Sequence, residues 1–118
     1  MAEQGSLESQ LIEAFEMMWG KYNEPVRLIN RKFDIIAINE AYKAIGGAAG
    51  TKCNATSPEM HKGCKAMAAL KTNETQIVVS EKNGVVWTSF WIPVSGHPDY
   101  FIHFTNGMTE YIKKLNSN

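Results

Sequence analysis

Asn83-Gly84 lies between two runs rich in β-branched and aromatic residues, Gln76 to Val79 and Val85 to Val94, and it constrains the fold more than any other feature. Asn-Gly readily adopts the left-handed backbone of a two-residue hairpin turn, so the flanking runs are expected to pair antiparallel. A second turn, Ser95-Gly-His-Pro-Asp99, leads into Tyr100 to Thr105 and extends the pair to a three-strand meander.

The first part of the chain follows a different period. Leu7, Leu11, Ile12, Phe15, Met18, Trp19 and Tyr22 match the i, i+3, i+4 spacing of an amphipathic helix from Ser6 to Tyr22, with Ser6 as N-cap and Glu8 in the first turn. Leu11, Phe15, Met18 and Tyr22 also form a short heptad-like seam. A helix packed on its own domain and a dimer seam both fit that spacing. After Asn23-Glu24-Pro25, the runs Val26 to Ile29 and Phe33 to Ile38 read as strands joined by a turn at Asn30-Arg31-Lys32. Asn39 is placed to cap a short helix over 40–45 that ends at Gly46-Gly47. Ala48 to Ser57 reads as loop or broken helix. Ser57 and Pro58 then open a longer helix toward Lys71, with Met60, Cys64, Met67 and Ala68 on one face. Met108, Ile112 and Leu115 predict a terminal helix. The expected organisation is an N-terminal helix over 1–24, a core over 25–107, and an exit helix and tail over 108–118.

A chain of 118 residues suits one core. At this size roughly two-thirds of the unfolded surface is buried, so neither a disulfide nor a metal is needed for folding. Twelve basic residues balance twelve acidic ones, which argues against a nucleic-acid surface or a polybasic membrane anchor and leaves a protein or small molecule as partner. No run approaches the roughly 20 apolar residues that cross a bilayer. Met1-Ala-Glu-Gln-Gly-Ser has neither a basic n-region nor an apolar h-region, so the expected location is cytoplasmic. Cys53 and Cys64 then read as two thiols. The sequence shows no Ser-His-acid set, phosphate loop or flanked carboxylate pair, and an enzyme is not expected.

Three motifs, in this order, carry a resemblance to a known family. Val26-Arg-Leu-Ile-Asn-Arg-Lys-Phe-Asp-Ile-Ile-Ala-Ile-Asn39 resembles the opening of a PAS domain, where a hairpin leads into an Asn that starts the first short helix. Asn83-Gly-Val-Val-Trp87-Thr-Ser-Phe-Trp-Ile-Pro93 resembles the penultimate PAS strand. Gly107-Met-Thr-Glu110-Tyr-Ile-Lys113 resembles the closing motif that leads into a signalling helix. Gly50-Thr-Lys-Cys53 followed by Cys64 is similar to PAS domains of methyl-accepting chemotaxis receptors and sensor histidine kinases. The resemblance spans about 25–114. It implies an α+β fold: a five-stranded antiparallel sheet with short helices on one face, plus an N-terminal amphipathic helix and a short C-terminal one. It also implies a cytoplasmic sensory or signal-relay role in a prokaryotic signalling system, with a signalling protein or domain as partner. Gly107 departs from the pattern, because the family usually has a tethering Asp there. Glycine removes that carboxylate and loosens the backbone, so the N-terminal helix is the expected signalling route.

The resemblance further implies a small-ligand pocket between the longer helix and the inner face of the sheet. Alternation divides the strand after Gly84 into Val86, Phe90, Ile92 and Val94 on one side and Trp87, Ser89 and Trp91 on the other. The first set is expected to face the core, giving a pocket of His61, Cys64, Met67, Ala68, Phe90, Ile92 and Phe104. Trp87 and Trp91 would then need cover from Leu11, Phe15, Met18 or Trp19 of the N-terminal helix, or from a second subunit in a homodimer. The alternative is that both tryptophans belong to the core. His61 occupies the stretch where haem-binding PAS domains carry an axial histidine, so haem is a further alternative, without covalent attachment because Cys-x-x-Cys-His is absent. A zinc site from Cys53, His61, Cys64 and His97 or His103 has suitable ligand types, but its cysteines are much farther apart than the usual spacing of about two to four residues. A small-molecule sensor, a haem sensor of gas or redox state, and a ligand-free interaction module remain open.

Overall fold

The helical period at the N-terminus and the alternating period after it become separate layers. A computed structural model describes residues 2–50, 65–82, 84–107, 110 and 113, with side chains at all of these positions except 2–6 and 82. Helix α1 spans Ala2–Trp19. It begins ahead of the expected Ser6 cap, since Ala2, Glu3 and Gln4 are good helix formers and extend the helix past it. It stops at Trp19 rather than Tyr22: the Gly20 N–H makes a helical bond to the Glu16 carbonyl, but Tyr22 N–H then closes a tighter turn on the carbonyl of Trp19. A Cβ at position 20 would lie 2.5 Å from the Glu16 oxygen, so only glycine permits this turn.

Five strands follow: β1 Val26–Asn30, β2 Ile35–Ile38, β3 Gln76–Lys82, β4 Val85–Val94 and β5 His97–Asn106. They form one sheet in the order β2-β1-β5-β4-β3, with every neighbouring pair antiparallel. β3 and β4 pair as the Asn-Gly signal predicts, with Lys82 opposite Val85 and Gly84 at φ +77°. At the β1–β2 turn the Asn30 side-chain oxygen accepts from the N–H groups of Lys32 and Asp34. Phe33 lies in the left-handed region there, which takes it out of the predicted strand. Leu28 pairs with Ala37 but Ile29 with Ile35, leaving Ile36 as the extra residue of a β-bulge. The short helices α2 Glu40–Ala44 and α3 Ala66–Thr72 complete the described structure.

Two apolar clusters sandwich the sheet. On the inner face, Ala66, Ala69 and Leu70 of α3 pack on Ile29, Ile35, Trp91 and Phe101. On the outer face, Phe15 of α1 packs on Leu28, Ala37, Tyr100 and Phe104, with Trp19, Phe90 and Ile92 against them. This inverts the expected faces of β4. Trp91, 4% exposed, lies under α3 and not under α1. Phe90, Ile92 and Phe104 lie on the α1 side, away from the helix with which they were expected to form a pocket. Volume explains the inversion. The alanines of α3 leave room for an indole, whereas Trp19, Tyr22, Phe90 and Phe104 assemble as an aromatic set, Phe90 stacking on Phe104 at 4.8 Å and Trp19 lying 5.3 Å from it. Met67 is 59% exposed and Ala68 only half-buried, so α3 is rotated from the predicted face. With alanine at 66, 68 and 69, several helical faces match the periodicity equally well.

Asn39 joins these layers. It is 1% exposed and is the N-cap of α2, its Oδ1 accepting from Tyr42 N–H and also from Val26 N–H of β1. Its Nδ2 faces the carbonyls of Glu24, Tyr22 and Trp19 in the segment leaving α1, at 2.8, 3.1 and 3.3 Å, with its two hydrogens shared among the three. Buried amides left without these partners would each lose a hydrogen bond for which water is not at hand. Replacing Asn39 with Ala is expected to cost roughly 2–4 kcal/mol in a urea titration, and a loss under about 1 kcal/mol would show that the linkage is not structural.

Candidate functional site

The inner face of the sheet grades from apolar to polar along its strands. Directly opposed residues run across all five as Ile38, Arg27, His103, Trp91 and Gln76. The neighbouring row toward the exit of β5 brings Thr105 beside Ser89. Arg27, Ser89 and His103 are half-buried, whereas Trp91 and Thr105 are buried. The Arg27 guanidinium lies 5.3 Å from the centre of the Tyr42 ring, in cation–π range, with its Nε buried. Tyr42 sits on α2, the helix that Asn39 caps. The His103 ring stacks on Trp91 at 4.7 Å, and its Nδ1 lies 2.9 Å from the Phe90 carbonyl oxygen. A carbonyl only accepts, so Nδ1 carries the proton in that bond. Ser89 Oγ and Thr105 Oγ1 are 3.0 Å apart and hydrogen-bonded.

Sequence reasoning missed Arg27, Ser89, His103 and Thr105 as members of one face. The available signal was alternation along β5, which separates His103 and Thr105 from Ile102 and Phe104. Of the expected pocket residues, His61 and Cys64 lie outside the described residues, as does Cys53; the haem and zinc readings that depend on them lie there too. Among the described residues no group of three or more His, Cys, Asp or Glu side chains is arranged to hold a metal.

The outer face offers a different surface. Leu11, Ala14, Phe15, Met18, Trp19, Leu28, Val94 and Ile102 line an apolar groove of about 170 Å³ between α1 and the sheet. Phe15 and Trp19 are the cap expected of α1, but they cover Phe104 in place of the tryptophans of β4. Met18 does not cap, being 77% exposed like Met17. Trp87 is half-buried and pairs with Ser80 across the β3–β4 ladder. The Tyr100 hydroxyl donates to Glu8 at 3.2 Å and ties α1 to β5. Burial, then the charge and hydrogen bond of Glu8 and the charge of Asp99, push the phenol above its ordinary pKa of 10.0, so it stays protonated and donating.

The two ends of the domain meet at the segment between α1 and β1. Tyr22 Oη donates to Asn106 Oδ1 at 2.7 Å, and the Gly107 N–H donates to Glu24 Oε2 at 3.1 Å. The exit from β5 is therefore held, not loosened as the glycine had suggested, with the carboxylate supplied by Glu24. Gly107 has φ +99°, and a Cβ there would come within 2.6 Å of the Val86 carbonyl oxygen. Gly107→Ala is expected to destabilise the domain by about 1–3 kcal/mol and to speed amide exchange at 106 and 107, whereas wild-type exchange and stability would rule out a constrained exit.

No protein-family model and no curated protein matches the chain. Solved structures do. The chain is similar to a sensory box sensor histidine kinase from Vibrio cholerae at 14% identity, covering 89% of this chain and 93% of that one with a TM-score of 0.61. It is similar to the PAS domain of Bordetella pertussis BvgS at 17% identity, covering 92% and 96% with a TM-score of 0.62. The phage VqmA–DPO complex matches at 15% identity with a TM-score of 0.66, covering 93% of this chain and 58% of that one.

Proposed function

We propose that this chain, whose fold is that of the PAS sensory domains of signal-transduction proteins, binds a small ligand between α2, α3 and the inner face of the sheet and relays its presence without chemistry of its own. The observation that carries this reading is the half-buried polar row on the inner face, where Arg27, Ser89 and His103 stay accessible beside the apolar cluster under α3. Binding sites combine such apolar walls with a few convergent polar groups. The neighbours support a sensory role, and one of them, phage VqmA, was solved in complex with DPO. The Asn39, Tyr22 and Glu24 bonds join the inner-face helix α2, helix α1 and the exit of β5, a route by which occupancy can reach both ends.

A thermal-shift screen of metabolites tests the reading. A compound at 100 times its dissociation constant is expected to stabilise the domain by roughly 2.7 kcal/mol. The response should be lost in Ser89→Leu, which fills the inner face, and kept in Ala14→Leu, which fills the outer groove. The reverse pattern, or no responder at all, overturns it.

Exposed Met17 and Met18 beside the outer groove favour a homodimer as a second part of the function. A two-fold arrangement would place Met18 of each copy in the groove of the other, while Phe15 of the heptad-like seam stays buried against its own sheet. Sedimentation should show a dimer that Met18→Glu dissociates, weakening association about tenfold or more for an unpaired charge facing an apolar groove. A wild-type monomer at high concentration removes this part.

A further inference from the structure

The two edges of the sheet are finished differently. β2 is four residues long and carries the bulge at Ile36, and its Ile35 carbonyl accepts from the Gly50 N–H, so the chain after α2 already lies against it. β3 has none of these devices. It is seven residues long, pairs with β4 without a register shift from Gln76 to Lys82, and has β4 as its one neighbour among the described strands. Thr75 to Ser80 contains no charge, proline or glycine. Folded proteins ordinarily protect such an edge, because its outward N–H and C=O groups are a template for another strand. Ile77 and Val79 are 57% and 65% exposed on the outer face, left uncovered by α1, which packs over β1 and β2.

We infer that β3 pairs antiparallel with β3 of a second copy across a two-fold axis at Val78, joining two five-stranded sheets into one continuous sheet. This contact is independent of the ligand site and of the groove beside α1. A two-fold axis sets opposed residues on the same face, so only registers that differ by two residues along the strand compete. With Val78 opposite itself, Ile77 meets Val79, Gln76 meets Ser80, Thr75 meets Glu81 and Glu74 meets Lys82, each pair occurring twice. Apolar side chains then face apolar ones on the outer side, an amide faces a hydroxyl on the inner side, and opposite charges close both ends. Centring the axis on Val79 would set Glu81 against Ile77, and centring it on Ile77 would set Glu74 against Ser80. A strand of unrelated sequence has no reason to match this alternation, whereas a second copy matches it by symmetry.

Sedimentation over a concentration series tests the pairing in Met18→Glu, where the groove beside α1 faces an unpaired charge. That variant is expected to pass from monomer to dimer as concentration rises, with the amides of β3 becoming protected from hydrogen exchange in step. Adding Val79→Lys should weaken association about tenfold or more, because a charge then meets Ile77 at both symmetric positions. Adding Lys82→Glu sets like charges opposite each other at both ends and should weaken association several-fold; the double swap Glu74→Lys with Lys82→Glu should restore it, which a merely misfolded variant would not do. A Met18→Glu variant that stays monomeric at every concentration, association indifferent to Val79→Lys, or a double swap without recovery each overturn the assignment. If wild type and Met18→Glu associate alike and both respond to Val79→Lys, the groove contact falls and the β3 pairing stands.

Discussion

A single buried amide, that of Asn39, determines how the parts of this domain meet. Its oxygen serves two donors, one at the start of β1 and one in the first turn of α2, while its nitrogen serves three carbonyls in the segment leaving α1. Asparagine is the one side chain of this size with both an acceptor and a pair of donors at its tip, so Asp could not replace the nitrogen nor Ser reach both sides. The bonds of this one side chain fix where the helix ends, where the sheet begins and how α2 lies on the inner face. Tyr42, and through it Arg27, takes its position from that arrangement.

The same segment receives the other end of the sheet. Tyr22 and Glu24 hold Asn106 and Gly107, so the chain enters and leaves the domain at a shared patch of hydrogen bonds. A glycine that reads in isolation as a point of looseness is here a steric necessity, because the backbone passes too close to Val86 for any side chain. Exposed ion pairs contribute little by comparison. Lys21–Glu40 and Arg31–Asp99 lie in solvent, where pairing is worth at most about 1 kcal/mol.

The two faces of the sheet divide the work. The outer face is aromatic and apolar, closed by Phe15 and Trp19, with a groove beside them; the inner face mixes an apolar cluster with Arg27, His103 and two hydroxyls. That difference sets a face where polar side chains stand among apolar ones against a face that is apolar almost throughout. No described helix is long and apolar enough to cross a membrane.

Local chemistry along the chain was enough to determine the order of elements: the hairpin at Asn83-Gly84, the cap at Asn39, the strand pair after Pro25 and the helix before it. Each depends on neighbours a few residues away, and short-range backbone preferences act at that distance. A single five-stranded antiparallel sheet came from the resemblance that these motifs carry together, and the order β2-β1-β5-β4-β3 from the structure. What the tertiary structure alone decided was direction. A period of two sorts Phe90, Ile92 and Phe104 from Trp87, Ser89 and Trp91 without saying which set meets which helix, and an alanine-rich stretch around Met67 and Ala68 fits several helical faces. Complementary volume settles both, with the indole of Trp91 against the alanines of α3 and the phenyl rings of Phe90 and Phe104 against Trp19. That choice, made by packing between residues distant in the chain, puts Arg27 and His103 on the face that α2 and α3 cover.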